Sequence, residues 1–214
     1  MRYKLVCFDM DGVLIDIPEY IWTELHNAFG VPKQYQRRQW KLYQSKQITY
    51  KEWVDSDIKQ WINLGITKKD FEKSIRAMKL TEGTAETIQE LKERGYTLAI
   101  VSGSLSIVID ILFPEHDFSD ILINKITFDE QGRIASWEPT QYDWERKLQG
   151  IQMIAKKEKL NLKQVAFVGD STNDIEAARQ TGFSIAFNPK SKELESVCNV
   201  VIKKKDLREI LQYL

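Results

Sequence analysis

Short apolar runs of strand length recur along the chain, at Lys4–Phe8, Tyr96–Val101, Val165–Val168, Phe183–Phe187 and Val200–Ile202, with helix-like segments between them. No other feature restricts the fold as much. Strands separated by helices pair in parallel through right-handed crossovers. The pattern therefore predicts an open, doubly wound α/β sheet of Rossmann-like kind. Helices are expected over Thr84–Arg94, Ser104–Phe113, Glu145–Lys159, Asp174–Thr181 and Ser191–Val197, with one more at the end. Ile121–Asn124 and the turn Asp129-Glu130-Gln131-Gly132 add a hairpin-like pair of short strands.

One block breaks the alternation. From about Ile17 to Met78 the chain offers four helix-like stretches and no strand. The third opens on Thr49-Tyr50-Lys51-Glu52, a capping-box pattern, and its apolar positions Tyr50, Trp53, Val54, Ile58, Trp61 and Ile62 keep a helical rhythm. The fourth opens on Thr67 with Asp70 at the box position. Because the block follows the first strand directly, it is expected to be an inserted helical cap domain, residues 17–78, on a core of residues 1–16 and 79–214.

Lys+Arg and Asp+Glu both total 31, so no global field favours nucleic acid or an anionic membrane surface. The run Lys203-Lys204-Lys205 reads as a solvated turn. Cys7 and Cys198 lie in or beside apolar runs and are expected to be free thiols in the interior. No apolar stretch approaches the roughly 18–20 residues of a membrane span. No signal-peptide pattern precedes the first strand, and a cytoplasmic protein acting on a small molecule is the expectation.

In open α/β sheets ligands bind beyond the carboxyl ends of the strands. Three such ends are polar here: Asp9-Met10-Asp11-Gly12, Ser102-Gly103-Ser104, and Gly169-Asp170-Ser171-Thr172-Asn173-Asp174. The last two read as glycine-containing turns entering helices, and Arg146-Lys147 opens another helix between them. Gathered at one edge, they supply carboxylates, a hydroxyl, backbone amides and a cation. That inventory suits phosphoryl transfer. Carboxylates hold a hard cation such as Mg²⁺, a carboxylate can attack phosphorus, and hydroxyls, amides and a lysine neutralise the transferring group.

FDMDGVL, VSGS, Lys147 and VGDSTND, in that order, resemble the four motifs of the haloacid dehalogenase-like (HAD) hydrolase superfamily. Within it the chain is most similar to the phosphoserine phosphatases, a likeness carried also by TEGTAETIQELKERGYTLAIVSGS, NLKQVAFVGDSTNDIEAA and KKDLREIL. The resemblance implies a Mg²⁺-dependent phosphatase working through an aspartyl-phosphate on Asp9. It implies that Asp11 is the proton donor and then the base, and that Asp11 touches the metal through its backbone carbonyl. Asp9 and Asp170 would ligate Mg²⁺. Ser102, the Gly103 amide and Asn173 would bind the phosphoryl group, Lys147 would neutralise it, and Asp174 would support Lys147 or the metal waters. Asp11 separates phosphatases and sugar phosphomutases from the members that lack an acid there. The implied partner is a small phosphorylated metabolite.

The chain departs from the phosphoserine phosphatase pattern at several positions. Gly12-Val13 stand where Ser-Thr is usual, and Ser104 where the second motif commonly has glycine. The family's cap glutamate, which binds the serine amino group, has Glu19 about one residue away as its counterpart here. In the region of the cap arginine, which binds the serine carboxylate, the chain reads WVDSDIKQW, with Asp55 and Asp57. Without that arginine a carboxylate would lose a charge-assisted pair. The cap holds Trp22, Trp40, Trp53 and Trp61, which are expected to be mostly core, with one or two free to line a pocket for a different leaving group. His26 has no partner pattern that suggests catalysis. A phosphotransferase or phosphomutase, and a non-catalytic regulatory module of the same fold, remain alternatives at this point.

Overall fold

The computed structural model describes residues 2–214. Among them, seven strands form one sheet in the order β4-β3-β2-β1-β5-β6-β7. They are β1 (Leu5–Phe8), β2 (Thr97–Leu105), β3 (Asp120–Phe128), β4 (Ile134–Glu138), β5 (Val165–Gly169), β6 (Phe183–Phe187) and β7 (Val200–Ile202). Neighbouring strands are parallel except β3 and β4, the expected hairpin, which pair antiparallel at the edge.

The sheet is covered on both faces, as alternation along each strand requires. Val6 and Phe8 of β1, with Leu98 and Ile100 of β2, pack on one side together with α5 (Thr84–Glu93) and α6 (Ser106–Leu112). Leu5 and Cys7, with Ala99 and Val101, face the other side, against α7 (Lys147–Lys157), α8 (Ile175–Gln180) and α9 (Lys192–Val197). Burial on both faces explains why the central strands read as unbroken apolar runs. Cys7 is a buried free thiol, as expected, whereas Cys198 is only half-buried.

Between β1 and α5 the chain forms α1 (Ile21–Ala28), α2 (Lys33–Gln44), α3 (Tyr50–Asn63) and α4 (Lys68–Arg76). The capping box of α3 is made: Glu52 Oε2 accepts the Thr49 N–H at 2.7 Å and Thr49 Oγ1 accepts the Glu52 N–H at 3.2 Å. Asp70 accepts the Thr67 N–H at 2.8 Å at the start of α4. Ile21, Leu25, Ile58, Trp61, Phe71 and Ile75 from these helices join the apolar cluster on the β1 Phe8 side of the sheet.

Two expectations need correction. β2 does not end at Val101; it runs on to Leu105, because Leu105 pairs with Asn124 of β3 after a register shift. Ser102-Gly103-Ser104 is therefore strand and not a turn, and α6 starts at Ser106. The final helix is a 3₁₀ segment, Leu207–Gln212, without an α-helix.

Gly182, between α8 and β6, sits against the Lys163 backbone: a Cβ there would lie 2.1 Å from the Lys163 carbonyl oxygen. Backbone cannot rotate away as a side-chain tip can. Gly182→Ala is expected to cost about 1–3 kcal/mol of stability, read from urea unfolding.

Candidate active site

The chain crosses from one side of β1 to the other between β4 and β5, so the carboxyl ends of β2, β1 and β5 meet at a topological switch point. Register brings them level. Phe8 lies opposite both Ile100 and Val168, and the Asp9 N–H donates to the Val168 carbonyl at 2.9 Å. Asp9, Ser102 and Asp170 thus emerge together, all buried.

Lys147 joins the carboxylates of this edge. It is the first residue of α7 and is buried, with Nζ 3.1 Å from Asp9 Oδ2 and 2.6 Å from Asp174 Oδ1. Burial alone would lower its pKa, but the carboxylates of Asp174, Asp9 and Asp143 more than reverse this and hold it protonated. Asp174 has no oxygen to spare: Oδ2 accepts the N–H groups of Asp170 and Ser171 at 2.8 and 3.0 Å. It acts as a fixed strut for Lys147 and for the Asp170 loop.

One ligand oxygen from each of Asp9, Asp170 and Asp174 falls within 4.8 Å of the others. The donor set is all oxygen, which suits a hard cation. Burial, with the charge of Asp9 added, pushes Asp170 up to about 7, so this edge gains from an added positive charge. Lys190 supplies part of it, 2.8 Å from Asp170 Oδ2. Gly12 leaves the room: its φ is +79°, and a Cβ there would meet Asp170 Oδ2 at 2.2 Å. Asp9 and Asp170 fit a metal ion, with Asp174 engaged as a support.

Asp11 differs from Asp9 in its surroundings. Its Oδ2 accepts the Ile21 N–H at 2.9 Å, at the start of α1, and its Oδ1 has no partner. Burial, then the neighbouring Asp9 charge, pushes its carboxyl up to about 7. Because Oδ2 is an acceptor, the proton belongs on Oδ1. A carboxyl kept partly protonated near neutrality can donate to a leaving oxygen.

A cavity of about 420 Å³ opens above these groups and runs in among α1, α2 and α3. Asp9, Asp11, Ser102, Gly103 and Asn173 line its floor. The Gly103 carbonyl is anchored by Trp22 Nε1 at 2.8 Å and Asn124 Nδ2 at 2.7 Å. Asn173 lies at the cavity, and its Nδ2 donates to Asp143 Oδ1 at 3.0 Å. Glu19 also lines the cavity but is exposed, at its rim.

Three residues of this neighbourhood were not singled out by their sequence context. Asp143, four residues before Lys147, is buried against Gly103: a Cβ at 103 would lie 2.1 Å from Asp143 Oδ2. Burial raises its carboxyl to about 6 although Lys147 opposes the shift. Lys190 comes from the loop after β6. His26 of α1 is buried against α3, its Nδ1 accepting from Trp61 Nε1 and its Nε2 3.2 Å from Asp57 Oδ2. Asp143 leaves a faint trace, an isolated acid in a polar stretch ahead of Lys147; the other two leave none.

Residues 3–182 match the haloacid dehalogenase-like hydrolase family. The chain is 33% identical to a phosphoserine phosphatase of Methanocaldococcus jannaschii over 222 residues, covering 100% of this chain and 98% of that one. It is 30% identical to a phosphoserine phosphatase of Archaeoglobus fulgidus, across 95% of this chain and 58% of the relative. A solved structure described as a phospho-aspartyl intermediate analogue of phosphoserine phosphatase superposes with a TM-score of 0.76 at 28% identity, covering 100% of both chains. No helix among the described residues is long and apolar enough to cross a membrane.

Proposed function

Because the chain belongs to the haloacid dehalogenase-like hydrolases and is a phosphoserine phosphatase-like phosphomonoester hydrolase, we propose that it is a Mg²⁺-dependent phosphatase of a small metabolite, acting through a phosphoryl group carried on Asp9. The observation that carries this reading is the buried Asp9–Lys147–Asp174 chain of ion pairs beside Asp170, on the floor of the cavity.

The Asp9 carboxylate attacks phosphorus, an oxygen–phosphorus bond forms, and the ester bond to the alcohol breaks. Asp11 gives its proton to the departing alkoxide. It then takes one from the water that attacks the phosphoryl group, which leaves Asp9 as a free carboxylate and releases inorganic phosphate. Lys147 stays protonated throughout and offsets the charge on Asp9 and the phosphoryl oxygens. Ser102, the Gly103 amide and Asn173 bind those oxygens. Asp9, Asp170 and the Asp11 backbone carbonyl would hold Mg²⁺, which when bound withdraws charge from the phosphoryl oxygens.

Residues 17–78 serve as the cap over the core made by 1–16 and 79–214. The bond from the Ile21 N–H to Asp11 supports this reading, since it ties the proton donor to the start of the cap. Enclosing the substrate would keep water from the phosphoryl group until the alcohol has left.

Phosphate release from a panel of phosphorylated metabolites tests the reading. With Mg²⁺ at least one small ester is expected to be cleaved. A chelator should lower the rate about 100-fold or more, the several kcal/mol that a Lewis acid supplies, and added Mg²⁺ should restore it. Activity indifferent to chelation would exclude the metal. Transfer to an alcohol acceptor without free phosphate would make the protein a phosphotransferase.

A further inference from the structure

The helical wall of the cavity carries a buried carboxyl group that the floor does not explain. Asp57 of α3 lines the cavity, is 2% exposed, and its Oδ1 has no hydrogen-bond partner. Its Oδ2 lies 3.2 Å from Nε2 of His26, itself 3% exposed. Whether that pair is neutral depends on His26, and Trp61 decides it. An indole N–H can only donate, and Trp61 Nε1 lies 2.9 Å from His26 Nδ1. Nδ1 is therefore the bare nitrogen and the ring proton sits on Nε2, which faces Asp57 without a hydrogen bond, so the imidazole is neutral. His26 therefore brings no positive charge to Asp57.

A buried carboxylate without a counter-charge is costly. On the floor, Lys147 pairs with Asp9 and Asp174, and Lys190 with Asp170. Lys33 and Arg37 border the cavity but are exposed, and neither pairs with Asp57. Other walls of the cavity are aromatic. Trp40 packs on Trp53 of the helical segment at 5.3 Å between ring centroids and on Trp144, from the loop before Lys147, at 5.0 Å; all three line the cavity. Aromatic faces attract cations, quaternary ammonium groups above all.

We infer that the alcohol released from the substrate carries an ammonium group, seated against the Trp40–Trp53–Trp144 wall and balanced by Asp57, so that the substrate is the phosphomonoester of an amino alcohol lacking a carboxylate. This rests on the phosphatase reading above. An amino-acid leaving group would bring its own carboxylate beside Asp57, where no buried cation receives it. An uncharged alcohol would offer the Asp57 carboxyl no cation.

The test compares phosphocholine with neohexyl phosphate, its uncharged carbon isostere, and with O-phosphoserine, using p-nitrophenyl phosphate as a generic ester. Phosphocholine is expected to exceed both comparison esters by about tenfold or more in kcat/KM. Asp57→Asn keeps the size of the side chain and removes its charge, and circular dichroism checks its fold. In that variant the ratio of phosphocholine to neohexyl phosphate should fall by about fivefold or more, leaving only the preference of the aromatic wall. Binding is read separately, by tryptophan fluorescence: choline should bind the unmodified protein about tenfold more tightly than neohexanol. The inference is overturned by equal use of the two isosteres, by a ratio that survives Asp57→Asn, by O-phosphoserine as the best ester, or by choline binding no tighter than neohexanol. Absence of phosphate release from every ester, p-nitrophenyl phosphate included, would instead remove the phosphatase reading, and the choline titration would still decide whether the cation seat exists.

Discussion

Asp9→Asn is expected to lower phosphate release by at least about 10⁴-fold, the scale of losing a covalent nucleophile, without unfolding the protein. An amide nitrogen or oxygen is too weak a nucleophile to replace the carboxylate. The fold should tolerate the change, because Asp9 contributes repulsion as well as attraction. Its Oδ1 accepts the Met10 N–H at 2.7 Å and its Oδ2 faces Lys147, contacts that an asparagine oxygen can keep in part. The Asp9 charge also helps push Asp11 and Asp170 up to about 7, and a neutral residue relieves both. Steady-state assays beside a thermal melt check this: activity lost, melting temperature held or raised. A variant that keeps a substantial fraction of wild-type turnover would remove Asp9 from the chemistry.

Lys147→Met is expected to fail differently. Methionine fills similar space, so packing is largely preserved, but Asp9 and Asp174 lose the buried ammonium between them. Removing one partner of a buried pair leaves an uncompensated charge and costs about 3–5 kcal/mol. Urea unfolding should show that loss, and activity should fall with it. Adding Asp174→Asn should return part of the stability without returning activity, because the second change removes one stranded charge and not the need for a cation beside the phosphoryl group. A double-mutant cycle on the unfolding free energies measures the coupling. Strictly additive losses would mean that the ion pair is not what Lys147 contributes.

Much of this arrangement was legible in the chain before folding. Apolar runs buried on both faces marked β1, β5, β6 and β7, and the residues just beyond the strand ends put Asp9 and Asp170 on one edge. Strand register then brings them level, which no local pattern specifies. The continuation of β2 through Ser102-Gly103-Ser104 was not legible, since it depends on pairing with β3, about twenty residues on. Lys190 and Asp143 stand on loops, where a lone charge carries no periodicity. The His26–Asp57–Trp61 arrangement joins α1 and α3; each residue alone reads as helix interior, and only the donor-only chemistry of an indole N–H, seen in place, shows that His26 brings Asp57 no positive charge.

The central claim is that Asp9 carries the phosphoryl group during turnover. It is tested most directly by mixing the protein with Mg²⁺ and a cleaved ester, quenching in acid within a turnover, and mapping the mass of one phosphoryl group by peptide mass spectrometry. The expected result is an adduct on the peptide holding Asp9 that appears before free phosphate reaches its steady rate and is removed by hydroxylamine, as an acyl phosphate is. Steady phosphate release with no adduct at any quench time, or an adduct on another residue, would contradict the account.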